Sequence, residues 1–211
     1  AIALTDEVTG ITAAFAAMVA LHSGVGQIVD VNLLTTIFQM MGPVISLFKL
    51  SAELQPRLGS GLPYTVPRGV YQCVDGKWVG VSASSDSVAA RVMKILGLET
   101  DERFTTFAGR MEHRELLQEL MGKWCATRAR DEVVAIFEAA EAAVGPVFDM
   151  SDIATDPHYA ARNMIQIVGD TPMQGLIAAL SKTPGVLRDE GHALDADRDD
   201  ITTRGWKSNT I

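Results

Sequence analysis

A carboxylate and a glycine lie one helical turn apart near the start of the chain, at Asp6 and Gly10. The free amides and positive dipole end of a helix N-terminus favour a negative charge there. A fixed aspartate of this kind can attack an activated acyl group and form a covalent intermediate. Gly10 either makes room for a substrate beside that carboxylate or permits close packing of another helix. Asp6 or Thr5 also fits the role of helix N-cap, whose side chain accepts a hydrogen bond from a first-turn amide.

The helix that positions Asp6 is predicted from large side chains at three- and four-residue spacing. They are Val8, Ile11, Phe15, Met18 and His22. Most other positions are alanine, and a helix without a polar face is usually buried on all sides. We therefore expect this helix to be covered by other elements.

The next elements follow from equally local signals. Residues 27–31 are β-branched and bounded by glycine, which predicts a strand. A second helix is predicted over 34–48, broken at Gly42-Pro43. Residues 51–68 are rich in proline and glycine and predict a loop and a domain boundary.

The rest of the chain predicts a mixture of strands and helices. Asp75-Gly76 marks a hairpin between 69–73 and 77–82. Three helices follow, the first capped by Asp86 and ending at Gly97 and the third stopping before Gly145-Pro146. Their inward faces contain Val88, Val92 and Ile95, then Leu116, Leu117, Leu120, Met121 and Trp124, then Val133, Val134, Ile136, Phe137 and Ala140. Short helical turns are expected within 152–161, a strand at 164–168, and from Asp189 a polar tail with Ile201 and Trp206 as apolar anchors, either docked or disordered.

Seven short motifs resemble, in order, those of the class III coenzyme A transferases, the relatives of formyl-CoA transferase, carnitine CoA-transferase and α-methylacyl-CoA racemase. The motifs are Asp6 to Gly10, Ser23-Gly24-Val25-Gly26-Gln27 with Val29-Asp30-Val31, Pro56-Arg57-Leu58-Gly59-Ser60-Gly61, 71–80, 127–132, 144–147 and 156–162. The ordered set spans about four fifths of the chain, which is more specific than one short motif. Val25 departs from the pattern, since the family commonly has arginine at that place in the turn.

The resemblance implies an α/β fold: part of a doubly wound, Rossmann-like large domain plus a small α+β domain, in interlaced dimers. Residues 1–55 would return to the large domain, 56–165 form the small domain, and 166–211 pack back on the large domain. Roughly the first half of the family's usual chain, with most of the large domain and much of the coenzyme A pocket, is absent from this sequence. The implied partner is a second copy in an interlaced homodimer, or the missing N-terminal half.

The resemblance also implies a reaction. Asp6 would be the nucleophile that moves coenzyme A between an acyl-CoA thioester and a carboxylic acid through an aspartyl intermediate, with Gly10 beside the substrate. No cofactor is implied other than coenzyme A as part of the substrate, and no metal. Gly59, Ser60 and Gly61 would form a mobile lid, because glycine amides can approach an acyl group closely. An ordinary connecting loop explains the same residues equally well.

Two alternatives remain. In the racemase branch of the family the aspartate acts as an acid or base, and racemases have a glycine-rich stretch after it and a glutamate after the hairpin. This chain has Glu7-Val8-Thr9 and Ser82-Ala83-Ser84-Ser85 at those places, which favours transfer. The other alternative, from a different class, is a non-catalytic fragment or subunit that scaffolds a partner.

Composition limits the remaining classes. A net charge of -8 argues against a nucleic-acid binder, whose surface would be basic. We expect no run of apolar residues long enough to span a membrane and no signal peptide, and therefore a soluble cytoplasmic protein that binds no membrane. Cys73 and Cys125 are expected to be reduced and structural. The four histidines are scattered without metal-ligand spacing.

Overall fold

The computed structural model describes residues 2–205. The chain divides into two compact units, Ala1–Tyr64 and Thr65–Ile211, which we call the N-terminal and C-terminal units. The three-part division at residues 55 and 165 stays a prediction.

Helices make up the regular structure of the N-terminal unit over its described residues 2–64. They are α1 (Leu4–Ser23), α2 (Leu33–Met40) and α3 (Val44–Ser51). Gly24 ends α1 in the left-handed conformation with φ of 70°, a backbone angle that glycine adopts without strain. The Asn32 side chain caps α2 by accepting a 2.9 Å hydrogen bond from the Thr35 amide. The predicted break at Gly42-Pro43 is confirmed, because α2 and α3 meet there at a bend of 68°.

The burial predicted for α1 is not observed. Ile11, Phe15 and Met18 are 58%, 70% and 63% exposed. The partly buried positions are small residues such as Ala13, Ala16 and Ala20, and α1 packs against α2. The large side chains thus lie on a face that no element of the described N-terminal unit covers.

α1 also corrects the expectation that no apolar run is long enough to span a membrane. Its 20 residues satisfy that criterion by length and composition, and α2 with α3 satisfies it only as a bent pair. The core helix of a soluble protein passes the same test, so this finding is weak evidence for a membrane helix.

The strand predicted at 27–31 is wrong, because these residues carry no strand hydrogen bonding in the structure. A strand exists only where a neighbouring strand pairs with its backbone amides and carbonyls. The described N-terminal unit provides no such neighbour at this segment.

The C-terminal unit is built on an antiparallel sheet of three strands in the order β1 (Arg68–Gln72), β2 (Trp78–Ser82) and β3 (Val144–Val147). The predicted hairpin is confirmed: Gly76 has φ of 77°, and its amide donates to the Cys73 carbonyl at 3.0 Å. Gly80 faces Val70 on one side and Gly145 on the other. β3, which contains Pro146, was not predicted; it is an edge strand, where proline is tolerated.

Four helices complete this part of the described residues: α4 (Asp86–Leu96), α5 (Phe107–Glu112), α6 (Arg114–Cys125) and α7 (Arg130–Ala139). α6 and α7 pack on the sheet, α4 packs against α6 and α7, and α5 packs against α6. The core includes the fully buried Phe104, Leu117, Met121 and Phe137. Ser85 rather than Asp86 caps α4, since its hydroxyl accepts a hydrogen bond from the Val88 amide at 3.3 Å. The left-handed stop at Gly97 is confirmed.

The two cysteines lie in the same core as these helices. Cys73 and Cys125 are buried and free, as expected. Burial raises the pKa of the Cys125 thiol to about 12, so this thiol stays protonated at neutral pH.

The remaining elements are short. α8 (Met150–Thr155) and α9 (Pro157–Ala161) confirm the predicted helical turns. β4 (Ile165–Val168), which was predicted, pairs with β5 (Thr171–Gln174). α10 (Arg198–Arg204) lies within the polar tail, where Ile201 is more than one third exposed. The predicted anchor Trp206 lies outside the described residues.

Candidate active site

Asp6 is the third residue of α1. The N-cap position belongs to Ala3 and no side chain caps the helix, so the predicted cap role of Thr5 or Asp6 is wrong. The first helical hydrogen bond runs from the Glu7 amide to the Ala3 carbonyl at 3.0 Å. The amides of residues 4–6 therefore precede the helical ladder, and the Asp6 carboxylate lies at the positive end of the helix dipole.

The Asp6 carboxylate is open to a reactant. Its residue is exposed, and within the described residues the carboxylate has no hydrogen-bond or ion-pair partner. The neighbouring hydroxyls are already engaged: Thr9 donates to the Thr5 carbonyl at 2.7 Å, and Thr12 donates to the Val8 carbonyl at 2.8 Å. Both oxygens of Asp6 are thus available for attack on a substrate.

Gly10 lies one turn further along α1. A Cβ atom built at this position meets no atom within 4 Å. Of the two interpretations of Gly10, the described residues therefore favour open space beside the carboxylate over a close packing contact.

The three residues predicted to form a lid lie together in one tight turn of the same unit. The Gly61 amide donates to the Leu58 carbonyl at 3.0 Å, and Gly59 between them has φ of 60°. Gly59 and Ser60 are exposed. The predicted site thus consists of two groups, Asp6 with Gly10 on α1 and the turn of Gly59, Ser60 and Gly61, and no hydrogen bond joins Asp6 to that turn.

Arg57, two residues before Gly59, was identified in the sequence only as part of a motif. It is exposed, and within residues 2–205 its guanidinium has no hydrogen-bond or ion-pair partner. The sequence signal that could have identified Arg57 is the scarcity of positive charge around it. Residues 1–64 contain four carboxylates, and Lys49 and Arg57 are their only lysine and arginine.

The strongest ionic network of the C-terminal unit has a structural role. Arg130 donates to the Asp152 carboxylate at 2.7 Å, and Lys77 donates to the other oxygen of that carboxylate at 3.0 Å. The Arg130 and Asp152 side chains are only 7% and 12% exposed. Hydrogen bonds from Arg130 and then Lys77 hold the pKa of Asp152 well below its usual range. The network ties α8 to the start of α7 and to the β1–β2 hairpin, and its charges are mutually compensated.

No group of three or more histidine, cysteine, aspartate or glutamate side chains suited to a metal ion occurs among the described residues. His192 pairs with Asp197 at 2.8 Å, which raises the pKa of that histidine. The carboxylates of α1 are Asp6 and its neighbour Glu7.

Comparison with known proteins assigns the family. Residues 1–198 match the model of CoA-transferase family III. The chain belongs to CoA-transferase family III. Family III membership confirms the resemblance drawn from the ordered motifs.

Two curated relatives of this family III chain come from Chloroflexus aurantiacus. Succinyl-CoA–D-citramalate CoA-transferase is 30% identical over 96% of the chain and 53% of its own length. The alpha subunit of succinyl-CoA–L-malate CoA-transferase is 26% identical over 90% of the chain and 47% of its own length. The chain thus spans about half the length of these relatives.

The fold agrees with that of a solved structure. A CaiB/BaiF family protein from Brucella suis superposes with a TM-score of 0.79 at 22% identity, over 95% of this chain and 55% of that one. This likeness supports a mixed α/β fold of the CaiB/BaiF type.

Proposed function

We propose that the protein transfers coenzyme A between an acyl-CoA thioester and a carboxylic acid, with Asp6 as the covalent nucleophile. The observation that carries the proposal is the family III match over residues 1–198. The geometry of α1 supports it, because Asp6 lies exposed at the free amide end of the helix beside the open surface of Gly10.

The reaction proceeds in four balanced exchanges. An Asp6 oxygen attacks the thioester carbonyl carbon, the C–S bond breaks, and coenzyme A departs as the thiolate. The product on the protein is a mixed anhydride of Asp6 and the acyl group. The thiolate attacks the Asp6 carbonyl carbon, which releases the first acid as its carboxylate and leaves an aspartyl thioester. The second carboxylate attacks that thioester and displaces the thiolate, which then attacks the new acyl carbon. Asp6 is regenerated as a carboxylate and no proton is consumed.

Each exchange passes through a tetrahedral oxyanion that needs preorganised donors. The turn at Gly59, Ser60 and Gly61 is proposed as the lid. Its donor would be the Gly59 amide, since the Gly61 amide already donates to the Leu58 carbonyl and a Cβ atom built at Gly59 meets nothing within 4 Å. Gly10 is proposed to leave space for the acyl group beside Asp6.

The proposed acids carry more than one carboxylate. The two named relatives use succinyl-CoA with citramalate or malate, and each of these acyl groups or acids has a second carboxylate. Succinyl-CoA and four- or five-carbon dicarboxylic acids are therefore the first substrates to test.

The remaining expectations belong to the same proposal. This chain and the part that only its relatives have would together form a doubly wound, Rossmann-like large domain. The protein would be an interlaced homodimer, located in the cytoplasm, and would need no cofactor besides its substrates. These expectations are consistent with a chain that spans about half of its relatives.

The test compares two adjacent carboxylates. Asp6→Asn and Asp6→Ala should lower kcat by about three orders of magnitude or more, because loss of a covalent nucleophile removes the whole pathway. Glu7→Gln, which removes the neighbouring exposed charge, should retain activity. Hydroxylamine added during turnover should convert Asp6 to a hydroxamate that peptide mass spectrometry locates.

Normal transfer by Asp6→Ala, or an adduct on a different residue, would disprove the proposed role of Asp6. Exchange of the α-proton of a 2-methylacyl-CoA with deuterated solvent, without transfer of coenzyme A, would assign the chain to the racemase branch. Absence of both activities in the intact protein would favour a scaffolding subunit.

A further inference from the structure

Arg57 is the one cation of the described N-terminal unit without a structural explanation. Lys49, the other lysine or arginine in residues 1–64, lies in the last turn of α3, where a positive charge stabilises the helix dipole. Arg57 lies in the loop after α3, exposed and without a hydrogen-bond or ion-pair partner among residues 2–205.

Arg162 and Arg188 of the C-terminal unit are likewise exposed and have no side-chain hydrogen-bond or ion-pair partner among residues 2–205. What distinguishes Arg57 is its place directly before the turn that is proposed as the lid. In the N-terminal unit four carboxylates accompany Lys49 and Arg57, yet none of them pairs with Arg57 in the structure. The guanidinium is left with its full set of donors for a ligand.

Arg57 lies immediately before the turn from Leu58 to Gly61. Leu58 is partly buried and its carbonyl accepts the Gly61 amide at 3.0 Å, so the turn is anchored immediately after Arg57. Arg57 therefore lies beside the turn of Gly59, Ser60 and Gly61, which is proposed above to cover the acyl group.

We propose that Arg57 binds the second carboxylate of a dicarboxylic substrate, and this inference rests on the proposed transfer reaction. The chemistry favours arginine because its planar fork forms two parallel hydrogen bonds with a carboxylate. A dicarboxylic acyl group brings an anion towards the Asp6 carboxylate, and the two like charges repel each other. Arg57 offsets this repulsion and fixes the end of the acyl group away from the reacting carbon.

The experiment measures discrimination between succinate and its monomethyl ester as acceptors, in the intact protein with one acyl-CoA donor. The ester keeps the carbon chain and one reactive carboxylate but lacks the second charge. The unaltered protein should prefer succinate in kcat/KM by about 10- to 100-fold, the range expected for hydrogen bonds to a charged group. Arg57→Gln should bring this ratio close to one, chiefly through a higher KM for succinate, and Arg57→Lys should give an intermediate ratio.

Lys49→Gln is the matched control, because it removes the other cation of the unit and should leave the ratio unchanged. The inference is overturned if Arg57→Gln keeps the preference for succinate, if it lowers transfer to both acceptors equally, or if the unaltered protein shows no preference. An unaltered protein that transfers coenzyme A neither to these two acceptors nor to malate or citramalate refutes the proposed function itself, which separates that failure from failure of the role of Arg57.

Discussion

Replacing Gly10 by alanine should raise the stability of the protein and lower its transferase activity. Gly10 lies in the interior of the 20-residue α1, and an added Cβ meets nothing within 4 Å. Alanine is favoured over glycine in a helix interior by about 0.8–1.0 kcal/mol. We therefore expect Gly10→Ala to raise the midpoint of thermal unfolding by about 2–4 °C, as for a change of this size in a domain of about 200 residues.

The same methyl group should impair catalysis, because it occupies the proposed substrate space one turn from the Asp6 carboxylate. A reacting group displaced by about 1 Å can cost up to about 100-fold, so we expect kcat/KM to fall at least tenfold. The matched control is Gly122→Ala in α6, which also meets nothing within 4 Å. It should stabilise the protein similarly and leave kcat/KM within twofold.

The assay is thermal unfolding followed by circular dichroism, combined with steady-state transfer kinetics on the same preparations. A Gly10→Ala variant that is more stable and fully active would show that the space beside Asp6 is not used by the substrate. A less stable Gly10→Ala variant would show that Gly10 is a close packing contact in the assembled protein.

Two further predictions concern the C-terminal unit. Phe137 is fully buried, and its ring meets that of Trp124 edge to face with 5.8 Å between the centroids. Phe137→Ala should therefore lower the free energy of unfolding, measured in urea, by about 3–5 kcal/mol. The control Phe107→Ala, at a site that is 43% exposed, should lower it by less than about half of that amount. The lowered pKa of Asp152 means that its ion pair with Arg130 stabilises the fold above about pH 4 and is lost as the pH falls below that value. Asp152→Asn should therefore give a flatter dependence of the urea midpoint on pH between about 5 and 3, and an unchanged slope would contradict the assignment.

The sequence predicted those elements whose signals are local. Asp75-Gly76 dictates its hairpin and Gly42-Pro43 its helix break through the backbone angles that these residues allow. Ser85 and Asp86 are both good caps, and the choice between them depends on where the preceding strand delivers the chain.

Elements that depend on distant partners were predicted poorly. β3 was missed because Gly145-Pro146 looks like a stop, and only the pairing of residues 144–147 with β2 makes it an edge strand. Residues 27–31 have the composition of a strand but no strand beside them in the described unit. The apolar faces of α1 follow the predicted spacing, yet exposure of Phe15 depends on which elements surround the helix rather than on its own sequence.

Asp6 was predicted as a candidate cap of α1 but is not its cap, and this difference affects the reactivity of its carboxylate. A cap residue uses a carboxylate oxygen to accept an amide hydrogen bond, and that oxygen is then less available as a nucleophile. In the structure Asp6 is two residues beyond the first helical position, Ala3 occupies the cap position, and no described residue hydrogen bonds to the carboxylate. Asp6 thus keeps the favourable field of the helix terminus without the hydrogen bond that would occupy its lone pairs. In the proposed reaction one Asp6 oxygen attacks the acyl carbon, and the third position of α1 leaves that oxygen without the capping hydrogen bond that would compete with the attack.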